Sequence, residues 1–128
     1  MATTTVSELM TAPVFTAERG ERPGDIADAM LEAGVNSIVV IDDECHPVGI
    51  VTATDYVALT ASGTDPYATT LSAEMTTDIV TGRPDEPVQA VADRMAENDI
   101  SHLPIVDGEG QTVGIVTTTD LTSHLASA

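Results

Sequence analysis

The segment GIVTATD at residues 49–55 returns as GIVTTTD at residues 114–120, 65 positions further along the chain. The same offset aligns residues 6–63 with residues 71–128 without a gap, and 20 of the 58 aligned positions are identical. The chain therefore contains one sequence unit twice, and two similar units usually pack about a pseudo-twofold axis. We expect any ligand to bind at or near their junction, in up to two related copies.

A length of 128 residues suits one compact domain or two small halves that share a core, and the halves are expected to depend on each other. Each repeat alone is near the size at which a single hydrophobic core is marginal. The predicted division is repeat 1 at residues 1–63, a linker at residues 64–70 and repeat 2 at residues 71–128. The chain has no Trp, one Phe and two Tyr, so its core is expected to be aliphatic, as in an α/β layer structure.

The charge balance is strongly acidic. The chain has 21 Asp and Glu residues against four Arg and no Lys, and its formal net charge is −17. Such a surface repels nucleic-acid phosphates and anionic membranes, so neither is an expected partner. This composition resembles that of proteins from extremely halophilic archaea, in which high salt screens the self-repulsion. An acidic partner-binding face is the alternative, but the charge is spread over both repeats, which favours the halophilic explanation.

The sequence predicts a cytoplasmic protein. Cys45 is the single cysteine, so the chain cannot form an intramolecular disulfide. No apolar run of signal-peptide length follows the first residues, and the apolar stretch at residues 38–41 is far too short to span a bilayer.

Each repeat has the same predicted order of elements, β-α-β-β-α after a short helical turn. Ser7 and Ser72 are the expected N-caps of the two turns. The next helix follows Pro23-Gly24 in repeat 1, whereas in repeat 2 it is expected to begin at an Asp85 N-cap. The other predicted elements are strands at residues 14–16, 37–41 and 48–52, their counterparts at 79–81, 102–106 and 113–117, and final helices at 54–61 and 119–126.

The strand-to-helix corners at residues 52–55 (TATD) and 117–120 (TTTD) are the strongest candidates for a functional site. Each places two hydroxyls, one carboxylate and the free N–H groups of a helix start on one rim. This set suits a ligand with vicinal hydroxyls and an anionic group. The alternative is that these residues only cap a helix. We favour the ligand site because the corner recurs inside a long repeat.

These features resemble the cystathionine β-synthase (CBS) domain, and their tandem arrangement resembles the CBS pair called a Bateman module. The resemblance covers about residues 5–127 and is most specific at residues 49–55, 114–120 and 101–107 (SHLPIVD). It implies an α/β (α+β) fold made of two β-α-β-β-α CBS repeats related by a pseudo-twofold axis.

The resemblance also implies a binding site for an adenosyl ligand (AMP, ADP, ATP or an S-adenosylmethionine-like compound) in the cleft between the repeats. Asp55 and Asp120 would hold the ribose hydroxyls, and the backbone near residues 14–16 and 79–81 would line the base. Whether Mg²⁺ takes part stays open. The implied ligand-binding residues are Thr16, Asn36, Ser37, Thr52, Thr54 and Asp55 in repeat 1, and Thr81, Ser101, His102, Pro104, Thr117, Thr119 and Asp120 in repeat 2.

The chain departs from the family at the phosphate side of the site. That side often carries Arg, Lys or His, whereas this chain offers only His102 beside Asn36, Ser37 and Ser101. One site is then better suited to phosphate than the other, or the ligand carries little negative charge. Multiply charged ATP is the less favoured ligand.

The predicted function is regulatory, not enzymatic. Cys45 and His46 lie in a hairpin turn without the three or four convergent ligands that a zinc site needs, so no metal is predicted. We expect a stand-alone sensor that forms a homodimer through its helices and acts on a partner protein or through self-assembly. The alternative is a ligand-free structural module for dimerisation or docking.

Overall fold

The structure, a computed structural model, describes residues 4–126. It divides into two compact units, and we describe each by itself. Unit A is Phe15–Ile79, and unit B combines the residues up to Val14 with those from Val80 onward. The opening segment of each repeat therefore packs in the unit formed by the other repeat. Leu71 is fully buried in the core of unit A, and Val6 is fully buried in that of unit B.

Unit A contains a three-stranded sheet and three helices. Its elements are β1 (Thr16–Glu18), α1 (Pro23–Ala33), β2 (Ser37–Ile41), β3 (Pro47–Thr52), α2 (Ala53–Ala61) and α3 (Leu71–Glu74). The strand order is β1-β2-β3, with β1 parallel and β3 antiparallel to β2. α1 begins at Pro23, two residues before the predicted start after Gly24, and ends before Gly34, whose φ of 69° is the left-handed conformation that closes many helices.

The core of unit A is aliphatic. Ile26 and Met30 on α1 are buried with Val40 on β2, Val51 on β3 and Leu71. The Tyr56 hydroxyl on α2 donates a hydrogen bond of 2.8 Å to the Pro23 carbonyl. Burial of the phenol raises the pKa of Tyr56 to about 12, since it disfavours the phenolate.

Unit B has the same plan with a smaller sheet. Its elements are a 3₁₀ turn (Val6–Glu8), α4 (Val88–Glu97), β4 (His102–Val106), β5 (Thr112–Thr117) and α5 (Thr118–Ala126). β4 and β5 form an antiparallel pair. Val91 and Met95 on α4 are buried with Leu103, Ile105 and Val116 of the strands. No helix within the described range is long and apolar enough to cross a bilayer.

The predicted strand at residues 79–81 is wrong. The first copy forms a strand two residues later than predicted, at Thr16–Glu18, whereas in unit B only Gly82 forms an isolated parallel bridge, to Ile105. In unit A the Val39 N–H donates to the Phe15 carbonyl at 3.1 Å. The residue equivalent to Val39 in unit B is Pro104, which has no N–H and cannot make this ladder bond.

Two predicted types of helix cap are also wrong. The N-caps of the short turns are Thr5 and Thr70, two residues before the predicted Ser7 and Ser72. The Thr5 carbonyl already accepts the Glu8 N–H at 3.1 Å, so the turn begins there.

The N-cap of α4 is Pro87 and not the predicted Asp85. The Ala90 N–H donates to the Pro87 carbonyl at 3.0 Å, and α4 starts at Val88. The first intrahelical hydrogen bond therefore begins two residues after Asp85.

The glycine of each GIVT segment lies where the opening segment crosses a strand. The Ile50 N–H donates to the Thr76 carbonyl at 3.0 Å, and the Ile115 N–H donates to the Thr11 carbonyl at 3.1 Å. A Cβ added at Gly49 would collide with the Met75 side chain, and one at Gly114 would lie 2.7 Å from the Met10 sulfur. A larger residue at either position would displace the methionine side chain, so glycine allows this close approach.

Candidate functional site

The Asp55 corner (residues 52–55) caps α2. One oxygen of Asp55, Oδ2, accepts the Thr52 backbone N–H at 2.8 Å and the Thr52 hydroxyl at 3.3 Å. Thr52 is the N-cap residue of α2. Thus the capping role that the sequence leaves as an alternative is present. Since both repeats need this helix capped, recurrence of the motif does not by itself indicate a ligand.

The Asp120 corner (residues 117–120) repeats this geometry. Asp120 Oδ2 accepts the Thr117 N–H at 2.9 Å and the Thr117 hydroxyl at 3.2 Å, and the Asp120 N–H donates back to that hydroxyl at 3.2 Å. In addition, the Thr11 hydroxyl lies 3.3 Å from Asp120 Oδ1 and 3.5 Å from Oδ2. Thr11 was not among the predicted site residues, although the repeat alignment pairs it with an identical Thr76.

The hairpin of unit A brings the predicted neighbours of Asp55 together. Ser37 at the start of β2 is the cross-strand partner of Thr52 at the end of β3. The Ala53 N–H at the start of α2 donates to the Asn36 carbonyl at 2.9 Å. Asn36 and Thr54 are exposed on this rim, whereas Ser37 is only 8% exposed.

The hairpin of unit B likewise brings the predicted neighbours of Asp120 together. His102 is the cross-strand partner of Thr117, and the Thr118 N–H donates to the Ser101 carbonyl at 3.1 Å. Ser101 and Thr119 are exposed, and His102 is half-buried. In both units the entry of one strand, the end of the next and the start of a helix form one rim.

The remaining predicted ligand-binding residues are not part of the corners but lie on or beside the strands that lead to them. Thr16 pairs with Val39, two residues along β2 from Ser37. In unit B, Thr81 precedes Gly82, whose N–H donates to the Pro104 carbonyl at 3.0 Å. The Pro104 side chain is fully buried, so it belongs to the core and only its backbone faces the Thr81 segment.

The surroundings of Asp120 are acidic. An open depression of about 280 Å³ beside it is lined by Glu8, Leu9, Asp120, Ser123 and His124. Its lining includes two carboxylates and neither Lys nor Arg. This side of the corner disfavours a ligand with several phosphates and tolerates a neutral or cationic group.

Arg94 contacts Thr81, one of the predicted ligand-binding residues, but its guanidinium already forms an ion pair with Glu86. Its guanidinium contacts Glu86 through bonds of 2.6 Å and 2.9 Å and donates to the Thr81 carbonyl at 3.0 Å. The Arg94 hydrogen bond holds the pKa of Glu86 below its ordinary value, and the same bond raises the pKa of Arg94. Its positive charge is therefore largely compensated before any ligand binds.

Cys45 and His46 form part of a local turn. Cys45 is exposed with φ of 65°, and His46 Nδ1 lies 3.3 Å from Asp42 Oδ2. The hydrogen bond from the His46 N–H lowers the pKa of Asp42. Among residues 4–126, no group of three or more His, Cys, Asp or Glu side chains is arranged to hold a metal ion.

Comparison with known proteins identifies the family. The CBS domain model matches residues 6–61 and again residues 70–127. A homoserine O-acetyltransferase of Methanohalobium evestigatum is 32% identical over 118 residues, which are 92% of this chain but only 23% of that protein. The chain thus spans less than a quarter of this relative.

Two solved structures share the fold over nearly the whole chain. The CBS domain pair of protein MJ0100, in complex with 5′-methylthioadenosine and S-adenosyl-L-methionine, is 28% identical with a TM-score of 0.90, covering 98% of both chains. The hexameric CBS-CP12 protein from bloom-forming cyanobacteria is 29% identical with a TM-score of 0.85, covering 93% of this chain and 69% of that one. The two family matches and the fold show that this chain belongs to the CBS domain family and carries two CBS domains in tandem.

Proposed function

We propose that the chain is a regulatory module that binds an adenosyl ligand without phosphates at its Asp55 and Asp120 corners. The observation that carries this proposal is that the two oxygens of the Asp55 carboxylate have different hydrogen-bond partners. Oδ2 takes both hydrogen bonds from Thr52, and within the described residues Oδ1 accepts none. Oδ1 of Asp55 is therefore available to the hydroxyls of a ribose, which donate hydrogen bonds that a carboxylate accepts. Asp120 differs, because its Oδ1 already accepts the Thr11 hydroxyl at 3.3 Å, and a ribose there would use the second lone pair of that oxygen.

The charge around the Asp120 corner supports a neutral or cationic adenosyl compound. Glu8 and Asp120 line the depression in unit B, and Arg94 is compensated by Glu86. A ligand such as ATP would bring several negative charges into a protein with a net charge of −17. The similar MJ0100 domain pair is solved with 5′-methylthioadenosine and S-adenosyl-L-methionine, neither of which carries a phosphate.

The regulatory role follows from how binding can act. A ligand shifts an equilibrium only by its different affinities for two states of the protein, so the module reports ligand level through a partner or through self-assembly. An enzymatic role in the manner of homoserine O-acetyltransferase has little support, because this chain matches only 23% of that relative.

A homodimer is the assembly that the helix surfaces favour. The exposed residues of α2 and α5 are all uncharged, whereas the exposed side of α1 carries Asp25, Asp28 and Glu32. Val57 on α2 is 68% exposed and Leu125 on α5 is 74% exposed. In so acidic a chain, a second copy would meet fewer exposed carboxylates on these helices than on α1. These same faces favour the second candidate function, a docking module whose corners only cap helices.

Asparagine substitutions separate ribose binding from capping. Asp55→Asn and Asp120→Asn each keep one carbonyl oxygen for the threonine N–H but cannot accept hydrogen bonds on both side-chain atoms. In calorimetric titrations with 5′-methylthioadenosine, we expect each variant to lose one of two sites and the double variant to lose both. Asp28→Asn on exposed α1 is the matched control and should bind like the parent. A double variant that binds as tightly as the parent would contradict the proposal.

A further inference from the structure

The segment around Thr81 in unit B has less strand pairing than its counterpart in unit A. Gly82 donates its N–H to the Pro104 carbonyl at 3.0 Å and accepts the Val106 N–H at 2.9 Å. In unit A the equivalent segment is β1, and the Phe15 carbonyl immediately before it also accepts the Val39 N–H. Pro104 cannot provide that bond, so the Thr81 segment needs another support.

An ion pair provides this support. Arg94 Nη1 donates to the Thr81 carbonyl at 3.0 Å, while Glu86 Oε2 accepts the Arg83 N–H at 2.7 Å. Arg94 and Glu86 are joined by the two bonds of 2.6 Å and 2.9 Å, and their side chains are only 30% and 23% exposed. Together they hold the residues on both sides of Gly82, and we call this pair the Glu86–Arg94 clamp.

Only half of the clamp has a counterpart in unit A. There Glu21 accepts the Glu18 N–H at 2.7 Å, as Glu86 does from Arg83. The position equivalent to Arg94 is Ala29, so unit A has no arginine to complete the pair. The arginine thus occurs in the unit whose segment lacks the strand.

We propose that Arg94 is a positioning residue for ligand binding at the Asp120 corner and has no such role at the Asp55 corner. This inference rests on the proposed function and on the expectation from the CBS resemblance that the backbone near residues 79–81 lines the base of the ligand. By holding the Thr81 carbonyl, Arg94 orders the segment before the ligand arrives. Without Arg94, the ligand would have to order the segment as it binds, and this entropic cost would weaken the affinity. Because Glu86 neutralises the guanidinium, Arg94 acts through position and not by attracting an anion.

The test measures the two corners separately in the full chain. Asp55→Asn leaves the Asp120 corner as the binding site, and Asp120→Asn leaves the Asp55 corner. Arg94→Ala, which installs the alanine that unit A carries, and Arg94→Lys, which keeps the charge without the two-pronged pairing, are added to each background. Arg19→Ala, which removes one positive charge in unit A, is the control. The probe is 5′-methylthioadenosine, titrated calorimetrically.

We expect Arg94→Ala to raise the dissociation constant about tenfold at the Asp120 corner, roughly the effect of losing one charge-assisted hydrogen bond. Arg94→Lys should cause a smaller rise there, and Arg19→Ala none. Neither Arg94 variant should change binding at the Asp55 corner. Equal weakening at both corners, or unchanged binding at the Asp120 corner, would overturn the inference. If Arg94→Ala does not fold, the same comparison is decided by Arg94→Lys.

Amide hydrogen exchange distinguishes failure of this inference from failure of the proposed function. If the parent chain binds no adenosyl compound, the proposed function fails, but the clamp still predicts faster exchange of the Gly82 and Val106 amides in Arg94→Ala. Unchanged exchange at both amides would overturn the clamp independently of any ligand.

Discussion

At the scale of single residues, one carboxylate serves both structure and the proposed binding. Asp55 caps α2 with Oδ2, and Asp120 caps α5 in the same way while also accepting the Thr11 hydroxyl. The repeat and its Thr-x-Thr-Asp pattern are enough to predict that the threonines and the aspartate of each corner lie on one rim. Asn36 and Ser101 are expected there only from the resemblance to the CBS domain. Thr11 could not be predicted, because its contact depends on which unit the opening segment joins.

The ion pair of Glu86 and Arg94 makes a prediction about acid stability. Since the folded-state pKa of Glu86 is lowered, its contribution is present above the ordinary glutamate pKa of about 4.3 and is lost as pH falls through the lower, folded-state value. The difference in unfolding free energy between the parent and Glu86→Gln should therefore shrink as the solution is acidified below that pH. Urea unfolding at several pH values measures it.

The exposed Glu32 on α1 provides the matched control. Glu32→Gln should give a difference that stays small at every pH. A Glu86→Gln difference that is the same at neutral and acid pH would show that the ion pair contributes nothing through its charge.

At the scale of elements, β-branched runs and helical periodicity are sufficient to predict α1, β2, β4 and the two hairpins. The strand at residues 79–81 fails because one proline in the neighbouring strand removes a donor, an effect that lies outside the segment itself. The capping errors have a similar cause. Several Ser, Thr and Asp residues precede each helix, and backbone hydrogen bonding decides which one is the cap.

The close packing at the glycines of the GIVT segments predicts that a larger residue there will lower the stability of the chain. Gly49→Ala should destabilise the chain by about 1–3 kcal/mol, the usual cost of overpacking, because the new Cβ displaces the Met75 side chain. Thermal or urea unfolding measures this loss. At Gly20 nothing lies within 4 Å of an added Cβ, so Gly20→Ala should leave stability nearly unchanged. Equal effects of the two substitutions would contradict the close approach of Met75.

At the scale of the whole chain, the sequence repeat and the folded unit are different divisions. The alignment predicts two equivalent halves, but it carries no information about which half receives each opening segment. That choice is made by packing, since Leu71 and Met75 contribute to the core of unit A. The composition likewise predicts an aliphatic core, but not that the buried residues divide into two clusters.

Two fragments of nearly equal length test this exchange of segments. A fragment of residues 15–79 contains all of unit A, whereas one of residues 1–63 lacks Leu71 and Met75. We expect the first to show the more cooperative thermal unfolding and slower amide exchange in β2 and β3. Equal protection in the two fragments would mean that the opening segment of repeat 2 is dispensable for unit A.

The central claim is that the two corners bind an adenosyl compound that carries no phosphate. The most direct test is a calorimetric titration of the full chain in multimolar KCl, which screens the net charge of −17. The ligands are 5′-methylthioadenosine, S-adenosylmethionine, AMP and ATP, with GMP as control. We predict saturable binding of 5′-methylthioadenosine or S-adenosylmethionine, at least about tenfold tighter than ATP, and none of GMP. Tighter binding of ATP, or no adenosyl binding by the folded protein, would contradict the claim.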